Sequence, residues 1–330
     1  MGCNPPEIWC GPPLIGDRPA ALSVALTGAT GFVGGHVLNL LLARGHHVKA
    51  LSRSARPVDH PHLTWISGSL QDKAALSTLT TDVDVVIHVA GAIKASNRQQ
   101  FFDDNVGGTE TLLAAIEQGP IKYIHLSSLA AREPTLSSYG ASKAEAETVV
   151  LSSSNPHNST ILRPAAVYGP GDKETLFYFE AATAPVAAVP GGARHRTSLI
   201  HVHDLASALV YLAENEQLES IVLNIDDGKE DGYAVLDVLN LIAPDKRKWF
   251  NTFYIPLPLL LVIAWLGAFF ARLTGRLPIL GSGKARELCH DDWVCHGPTL
   301  TSVSDWSADM SASMGMPQTR QWYEEHHFLG

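Results

Sequence analysis

Three glycines at three-residue spacing follow an apolar stretch near the start of the chain, and this feature constrains the fold most. Residues 22–34 read LSVALTGATGFVG, with Gly28, Gly31 and Gly34 directly after a predicted strand. The first glycine permits a tight bend, the second lets the backbone approach a pyrophosphate, and the third lets the next helix pack on the strand. An amphipathic stretch over 32–44 predicts that helix, whose first N–H groups would point at the anion. The pattern therefore predicts a phosphate-binding turn.

Strand and helix patterns alternate through the rest of the first half of the chain. Further strands are predicted at 47–52, 63–67, 83–89, 121–127 and 159–162. Helices are predicted at 72–79, 101–118 and 139–153, and later elements are a helix at 201–215, a strand at 221–225 and a helix at 233–241. Strands that alternate with helices of this length form βαβ units. The expected class is α/β, a Rossmann-type doubly wound parallel sheet with a smaller, irregular C-terminal lobe.

Composition shifts suggest three regions. Residues 1–20 are rich in proline and glycine and have no apolar run, so we expect a disordered leader there. Residues 21–168 carry the regular alternation and are the expected nucleotide-binding domain, to which some later segments return. Proline and glycine cluster at 169–171 and 190–192, so 169–330 is the expected substrate lobe.

Charge and cysteine content narrow the class of partner. The net charge of −9 disfavours nonspecific binding to nucleic acid, so the expected partner is a small molecule. Four cysteines in 330 residues do not make a disulfide scaffold, which favours a cytoplasmic protein. The pairs Cys289-His290 and Cys295-His296 lack the spacing of a zinc knuckle or ribbon, and no metal is expected.

A tyrosine and a lysine lie four residues apart in a second informative segment, YGASK at 139–143. On a helix, Tyr139 and Lys143 project from the same face. A phenol is a poor acid or base at neutral pH, and a nearby ammonium favours the phenolate, so Lys143 is expected to lower the pKa of Tyr139. Ser128, after the fifth strand, could hold a carbonyl oxygen. This trio suits proton transfer coupled to hydride transfer.

Together these segments resemble the extended short-chain dehydrogenase/reductases, the NAD-dependent epimerase/dehydratase group, over about residues 22–245. The matching segments are TGATGFVG at 27–34, HVAG at 88–91, NVGGT at 105–109, SS at 127–128, YGASK at 139–143, RPAAVYGPGD at 163–172 and HVHDLA at 201–206. The resemblance implies that Tyr139 is the acid/base, Lys143 its partner and Ser128 the carbonyl-positioning residue. Ser127 is the alternative to Ser128, and Asn105 would be a structural or proton-relay residue.

The same resemblance places the cofactor site. The implied cofactor-binding residues are Thr27, Gly28, Thr30, Gly31, Phe32, Val33, Gly34, Arg53, Ala90, Gly91, Tyr139, Lys143 and Pro164. Many members that use NAD end the second strand with an acid, whereas this chain reads LSRS at 51–54. Because Arg53 would attract a 2′-phosphate, NADP is favoured over NAD. Ser69 stands where many members carry an adenine-binding aspartate, so that contact is not expected from this position.

The sequence says less about which residues bind the substrate. Arg194 and Arg196 lie where members that act on sugar nucleotides place basic residues, and they are either substrate ligands or surface charges. Residues 256–272 are strongly apolar, but a helix of about 16 residues reaches roughly 24 Å, short of a bilayer core. It is either a buried helix or a helix lying in the membrane surface beside Lys246, Arg247 and Lys248. Steroid-dehydrogenase-like relatives carry a similar helix, which suggests a lipidic substrate.

The first functional hypothesis is an oxidoreductase that interconverts a secondary alcohol and a ketone, with Tyr139 moving the proton. The first alternative is a nucleotide-sugar epimerase or dehydratase with tightly bound NAD. The second is a structural subunit that binds a cofactor, although such relatives tend to lose the Tyr–Lys pair. A homodimer and peripheral contact with a membrane are compatible with each of them.

Overall fold

A computed structural model describes residues 20–54, 56–57, 60–116, 121–153, 158–215, 221–244, 252–274 and 280–329. Of the leader predicted at 1–20, all but Ala20 lies outside the described residues, as does the basic segment at 246–248. None of the helices in the described ranges is both long and apolar enough to cross a membrane.

Short apolar runs form the strands. In chain order they are β1 (Ser23–Thr27), β2 (His47–Ser52), β3 (Leu63–Ser67), β4 (Val85–His88), β5 (Lys122–Leu126), β6 (Ser159–Pro164), β7 (Ala166–Tyr168), β8 (Ala187–Pro190), β9 (Arg196–Thr197), β10 (Leu199–His201), β11 (Ile221–Ile225), β12 (Tyr233–Ala234), β13 (Thr252–Ile255) and β14 (Asp292–Trp293). Seven of them form one parallel sheet in the order β11-β6-β5-β4-β1-β2-β3. The strand order reverses between β1 and β4, where open α/β sheets bind ligands.

Helices cover both faces of this sheet. They are α1 (Phe32–Ala43), α2 (Lys73–Thr80), α3 (Arg98–Phe102), α4 (Gly108–Ala115), α5 (Ser138–Leu151), α6 (Leu176–Thr183), α7 (Val202–Glu214), α8 (Val235–Ile242), α9 (Leu257–Thr274), α10 (Ser282–Leu288), α11 (Leu300–Val303) and α12 (Ala312–Glu325). Leu26 on β1 shares a core with α1 and α7, while Ala25 shares another with α2, α4 and α5. Adjacent residues of one strand thus face opposite layers, and the predicted doubly wound α/β fold is confirmed.

Two predicted helices differ from the structure by more than a small shift of their ends. The helix expected at 101–118 begins at Arg98, passes through a π-helical turn at Asp103–Gly107 and ends at Ala115; residue 118 lies outside the described residues. The helix expected from Tyr233 begins at Val235, because Tyr233 pairs with Thr197 of β9 as a short antiparallel strand. Tertiary pairing overrides the helical pattern there.

The C-terminal lobe has a core of its own. Tyr168, Phe179, Val238 and Tyr323 are fully buried together, and they bring β7, α6, α8 and α12 into contact. Two later elements lie instead with the large sheet: β11 is its edge strand, and α7 packs against it. They are later segments of the kind expected to return to the nucleotide-binding domain, and the boundary at residue 168 stays a prediction.

Helix α9 presents an apolar surface to solvent. Leu260 and Ala264 face inward and are buried. Seven large apolar side chains of the helix are exposed: Leu259, Val262, Ile263, Trp265, Leu266, Phe269 and Phe270. Trp265 is the most exposed of them, at 68%. Of the two alternatives left by the sequence, the buried helix is therefore wrong, because most of the large apolar side chains at 257–270 face solvent.

Candidate functional site

The site residues predicted from the sequence collect at one edge of the large sheet. Parallel strands end at the same edge, so the segments that follow them become neighbours. The glycine turn at 28–34 follows β1, Ala90 and Gly91 follow β4, Ser128 follows β5, and Pro164 ends β6. Arg53 follows β2 and is exposed at the same edge.

The glycine turn fits a pyrophosphate. The carbonyl oxygen of Gly28 accepts a hydrogen bond from the N–H of Gly31 at 2.9 Å, and Gly28 has a φ of +76°. A Cβ at Gly28 would lie 2.6 Å from the backbone nitrogen of Ala90. No side chain caps α1, and the first N–H groups of any helix lack partners within it. These donors, at residues 32–34, can serve an anion.

Gly91 is pressed against two other candidate residues. A Cβ there would lie 3.1 Å from Oδ1 of Asn105 and 3.7 Å from Nζ of Lys143. The Asn105 side chain binds both backbone groups of Ala92, at 2.6 Å to the nitrogen and 3.1 Å to the oxygen. It also donates to the Ser142 hydroxyl at 2.8 Å. Asn105 lies in the π-helical turn. Its side chain therefore joins the loop that follows β4 to helix α5.

Tyr139 lies in the first turn of α5, where Ser137 caps the helix by accepting a hydrogen bond from Gly140 N–H at 2.8 Å. Burial raises the pKa of Tyr139 to about 12, and the carboxylates of Glu287 and Glu174 act in the same direction. A hydrogen bond with Ser128 partly opposes that shift. The expectation that Lys143 lowers the pKa of Tyr139 is therefore wrong, because desolvation dominates at this position.

Lys143 is buried on the same helix face. Its Nζ donates to the carbonyl oxygen of Leu126, the last residue of β5, at 2.6 Å. Burial lowers the pKa of Lys143 to about 8, and the charge of Glu147 opposes that change. The ammonium form therefore predominates at neutral pH, beside the loop that carries Gly91.

The sequence analysis missed two residues behind Lys143. The buried Glu147 carboxylate accepts hydrogen bonds from Nε of Arg163 at 2.8 Å and from Nη2 at 2.5 Å. The hydroxyl of Ser127 also donates to it. Ser127 is thereby committed to Glu147, which leaves Ser128 as the serine that faces Tyr139. Glu147 lies eight residues after Tyr139, a helical spacing that could have pointed to it.

The structure does not join Arg194 and Arg196 to Tyr139. Both arginines line an open cavity of about 490 Å³ with Asp231, Asp291 and Asp292. The guanidinium of Arg196 donates to the carbonyl oxygens of Asp231 and Gly232. Carboxylates outnumber guanidinium groups among these five residues, so this cavity is poorly suited to a diphosphate.

Histidines and cysteines at the described positions do not form a metal site. Within the described ranges, no group of three or more His, Cys, Asp or Glu side chains is arranged to hold a metal ion. Burial lowers the pKa values of two histidines near Lys143, His88 and His125, and the charge of Lys143 acts in the same direction.

The fold and this edge define an enzyme of the extended short-chain dehydrogenase type: a glycine turn for a dinucleotide beside a buried Tyr–Lys pair. Residues 24–226 match the NAD dependent epimerase/dehydratase family, and the chain belongs to that family.

Several curated proteins are similar over long stretches. A ceramide reductase of Caulobacter vibrioides is 37% identical and covers 93% of this chain and 96% of its own length. A 3-beta-hydroxysteroid dehydrogenase of Mycolicibacterium neoaurum is 27% identical and covers 58% of this chain and 61% of its own length. The solved structure of MoeE5 with UDP-glucuronic acid and NAD has a TM-score of 0.69 at 22% identity and covers 92% of this chain and 99% of that one. That structural likeness confirms the fold.

Proposed function

We propose that the protein is an NADP-preferring reductase that converts the ketone of a membrane lipid into a secondary alcohol. The observation that carries the proposal is the Ser128–Tyr139–Lys143 arrangement beside the glycine turn, on a protein with an exposed apolar helix. The 37%-identical relative is named for a lipid, ceramide, and supports this substrate class.

The protein's own residues account for the proton. When bound, the nicotinamide supplies the hydride that the carbonyl carbon accepts. Tyr139 donates its hydroxyl proton to the carbonyl oxygen, and the Ser128 hydroxyl is placed to hold that oxygen. Since its pKa is raised to about 12, Tyr139 carries its proton at neutral pH. The carbonyl oxygen becomes alkoxide-like when its carbon accepts the hydride, and an alkoxide is a stronger base than a phenolate, so it takes that proton. A protonated Tyr139 is therefore the form needed for reduction of the ketone.

The surroundings of Tyr139 suit an apolar part of the substrate. The two carboxylates that act on Tyr139 are each paired with a lysine, Glu174 with Lys94 at 2.6 Å and Glu287 with Lys284 at 3.5 Å. They therefore do not select against an anionic substrate. The aromatic ring of Phe101 lies 6.2 Å from that of Tyr139, between ring centroids, and supplies an apolar surface for the substrate.

A ketone panel tests the proposed function. The purified protein, in detergent micelles, should oxidise NADPH in the presence of a long-chain ketone that carries an amide, and a 3-oxosteroid serves as a second lipid. UDP-glucose is the contrasting substrate. Conversion of UDP-glucose without net change in cofactor, together with inert lipid ketones, would establish the epimerase alternative instead.

The cofactor preference depends on Arg53. We expect Arg53→Asp to raise the KM for NADPH by about 10- to 100-fold, since a charge-assisted bond to a phosphate is lost and a repulsion is added. The KM for NADH should change little. Lys229→Asp, the same change of charge at an exposed position of the C-terminal lobe, is the control. An equal rise in the KM for NADPH and for NADH would show that Arg53 does not bind the 2′-phosphate.

We infer that the protein contacts a membrane through α9. An apolar surface of this kind is uncommon on soluble monomers, and the neighbouring strand adds Phe253, which is 55% exposed. The sequence places Lys246, Arg247 and Lys248 shortly before the helix, and basic residues favour an anionic leaflet. The length of α9 suits a helix that lies in the interface rather than across it.

Vesicle flotation measures that contact. The wild-type protein should float with vesicles that contain phosphatidylglycerol, and Trp265→Ser/Phe269→Ser should reduce the bound fraction at least about tenfold, since two aromatic side chains lose their burial in lipid. Val303→Ser changes an exposed apolar residue on α11 and should float normally. If the double variant instead alters only the oligomeric state, a second copy of the chain covers α9.

A further inference from the structure

Three consecutive residues at the end of β5, residues 126–128, bond to three positions along α5. Ser128 bonds with Tyr139, the carbonyl of Leu126 accepts from Lys143, and Ser127 donates to Glu147. The positions on α5 are four residues apart, so they lie on one helix face. The contacts of Tyr139 and Lys143 belong to the proposed proton-transfer site. The contact between Ser127 and Glu147 continues the same row of contacts by one helical turn.

Glu147 is held as a charged group in the interior. The side chain is 4% exposed, and a buried carboxylate is stable only when it is paired and hydrogen-bonded. The planar guanidinium of Arg163, on β6, supplies two bonds, and arginine keeps its proton at every physiological pH. Glu147 and Arg163 therefore form a buried ion pair, with Glu147 one helical turn after Lys143.

Other titratable groups near Lys143 are neutral in the physiological range. From β4 and β5, His88 and His125 face it; burial lowers the pKa of His88 to about 3 and that of His125 well below its usual value. On its own helix, burial raises the pKa of Tyr139 to about 12. Glu147 is the carboxylate that acts on Lys143 against desolvation.

We propose that Glu147 is a positioning residue that keeps the buried Lys143 protonated at neutral pH, and that Arg163 and Ser127 hold its carboxylate in place for this purpose. The inference rests on the proposed function, in which the Ser128–Tyr139–Lys143 arrangement carries the reduction and the ammonium of Lys143 lies one helical turn from the proton donor Tyr139. It adds a residue that touches neither substrate nor cofactor and acts through the ammonium group alone.

The titration of Lys143 tests the inference directly. Protein labelled with ¹⁵N-lysine gives an Nζ resonance for Lys143 that is assigned by its loss in Lys143→Arg. We expect the midpoint of that titration to fall by about one pH unit in Glu147→Gln, because an opposite charge is removed. The alkaline limb of the kcat profile should move to lower pH with it, so that the loss is about fivefold near pH 8 and smallest near pH 6.

Two further variants separate charge from packing. Glu145→Gln neutralises an exposed carboxylate on the same helix and should leave the Lys143 midpoint unchanged. Glu147→Asp keeps the charge and should restore most of the wild-type midpoint even where the melting temperature falls. If Glu147→Gln does not fold, Glu147→Leu/Arg163→Met replaces the whole pair by apolar groups and should shift the midpoint in the same direction by less.

An unchanged midpoint in Glu147→Gln would overturn the inference, and so would a shifted midpoint with an unmoved pH profile of kcat. The resonance requires no turnover. A wild-type protein that reduces no ketone would therefore contradict the proposed function, while the titration would still decide whether Glu147 sets the charge of Lys143.

Discussion

Tyr139→Phe is expected to lower kcat for ketone reduction by about 10²- to 10⁴-fold, the range typical of losing a general acid. The substitution removes only the hydroxyl, and the ring keeps its contact with Phe101. Nucleotide affinity should stay within about twofold, since the glycine turn and Lys143 are untouched. Stopped-flow measurement of hydride transfer under single-turnover conditions, with the Kd for NADPH from fluorescence, separates the two effects.

Tyr211→Phe is the matched control for this prediction. Tyr211 lies on α7 and packs against the core beneath the sheet, away from the strand ends that form the site. Its loss of a hydroxyl should leave kcat unchanged. A normal rate of hydride transfer in Tyr139→Phe would remove Tyr139 from the reaction.

Gly34→Ala is expected to weaken nucleotide binding by about 100-fold or to prevent folding. A Cβ at this position would lie 2.0 Å from the carbonyl oxygen of Gly28 and 2.5 Å from its carbonyl carbon. Because both atoms belong to the backbone of the turn, no side chain can move aside, and overpacking of this kind costs about 1–3 kcal/mol. Isothermal titration with NADPH gives the affinity, and thermal unfolding gives the stability.

Its neighbour provides the control. A Cβ at Gly35 would meet only the carbonyl oxygen of Ala29, at 3.8 Å, which is an ordinary contact. Gly35→Ala should therefore bind NADPH normally and be slightly more stable, because alanine loses less conformational freedom in a helix. Equal behaviour of the two variants would contradict the role assigned to the turn.

The parts of the site that could be predicted from the sequence are those set by local spacing. The glycines of the turn lie within seven residues, and Tyr139 and Lys143 are one helical turn apart. Such patterns determine which atoms are neighbours before any tertiary contact forms. The parallel sheet could also be predicted from the sequence, because alternating strands and helices allow few other arrangements.

The parts that could not be predicted depend on distant partners. Nothing near Glu147 in the sequence indicates that β6 brings Arg163 beside its carboxylate. The sequence also does not show that the hydroxyl of Ser127 bonds to Glu147. The pKa of Tyr139 depends on burial and, further, on the charge of Glu287, which lies far along the chain on α10. The exposure of α9 depends on how little of the lobe packs against it, which no helical pattern specifies.

The helix that follows α9 has a practical consequence for anyone who wishes to crystallise the protein. Glu287 of α10 accepts a hydrogen bond from Ser137, the residue that caps α5, and a Cβ at Gly283 would lie 2.9 Å from Cβ of Ser137. Truncation before α9 would therefore remove the contact between Glu287 and the cap of α5, the helix that carries Tyr139. Replacing the exposed apolar side chains of α9 by polar ones is the safer engineering route, since it leaves that contact intact.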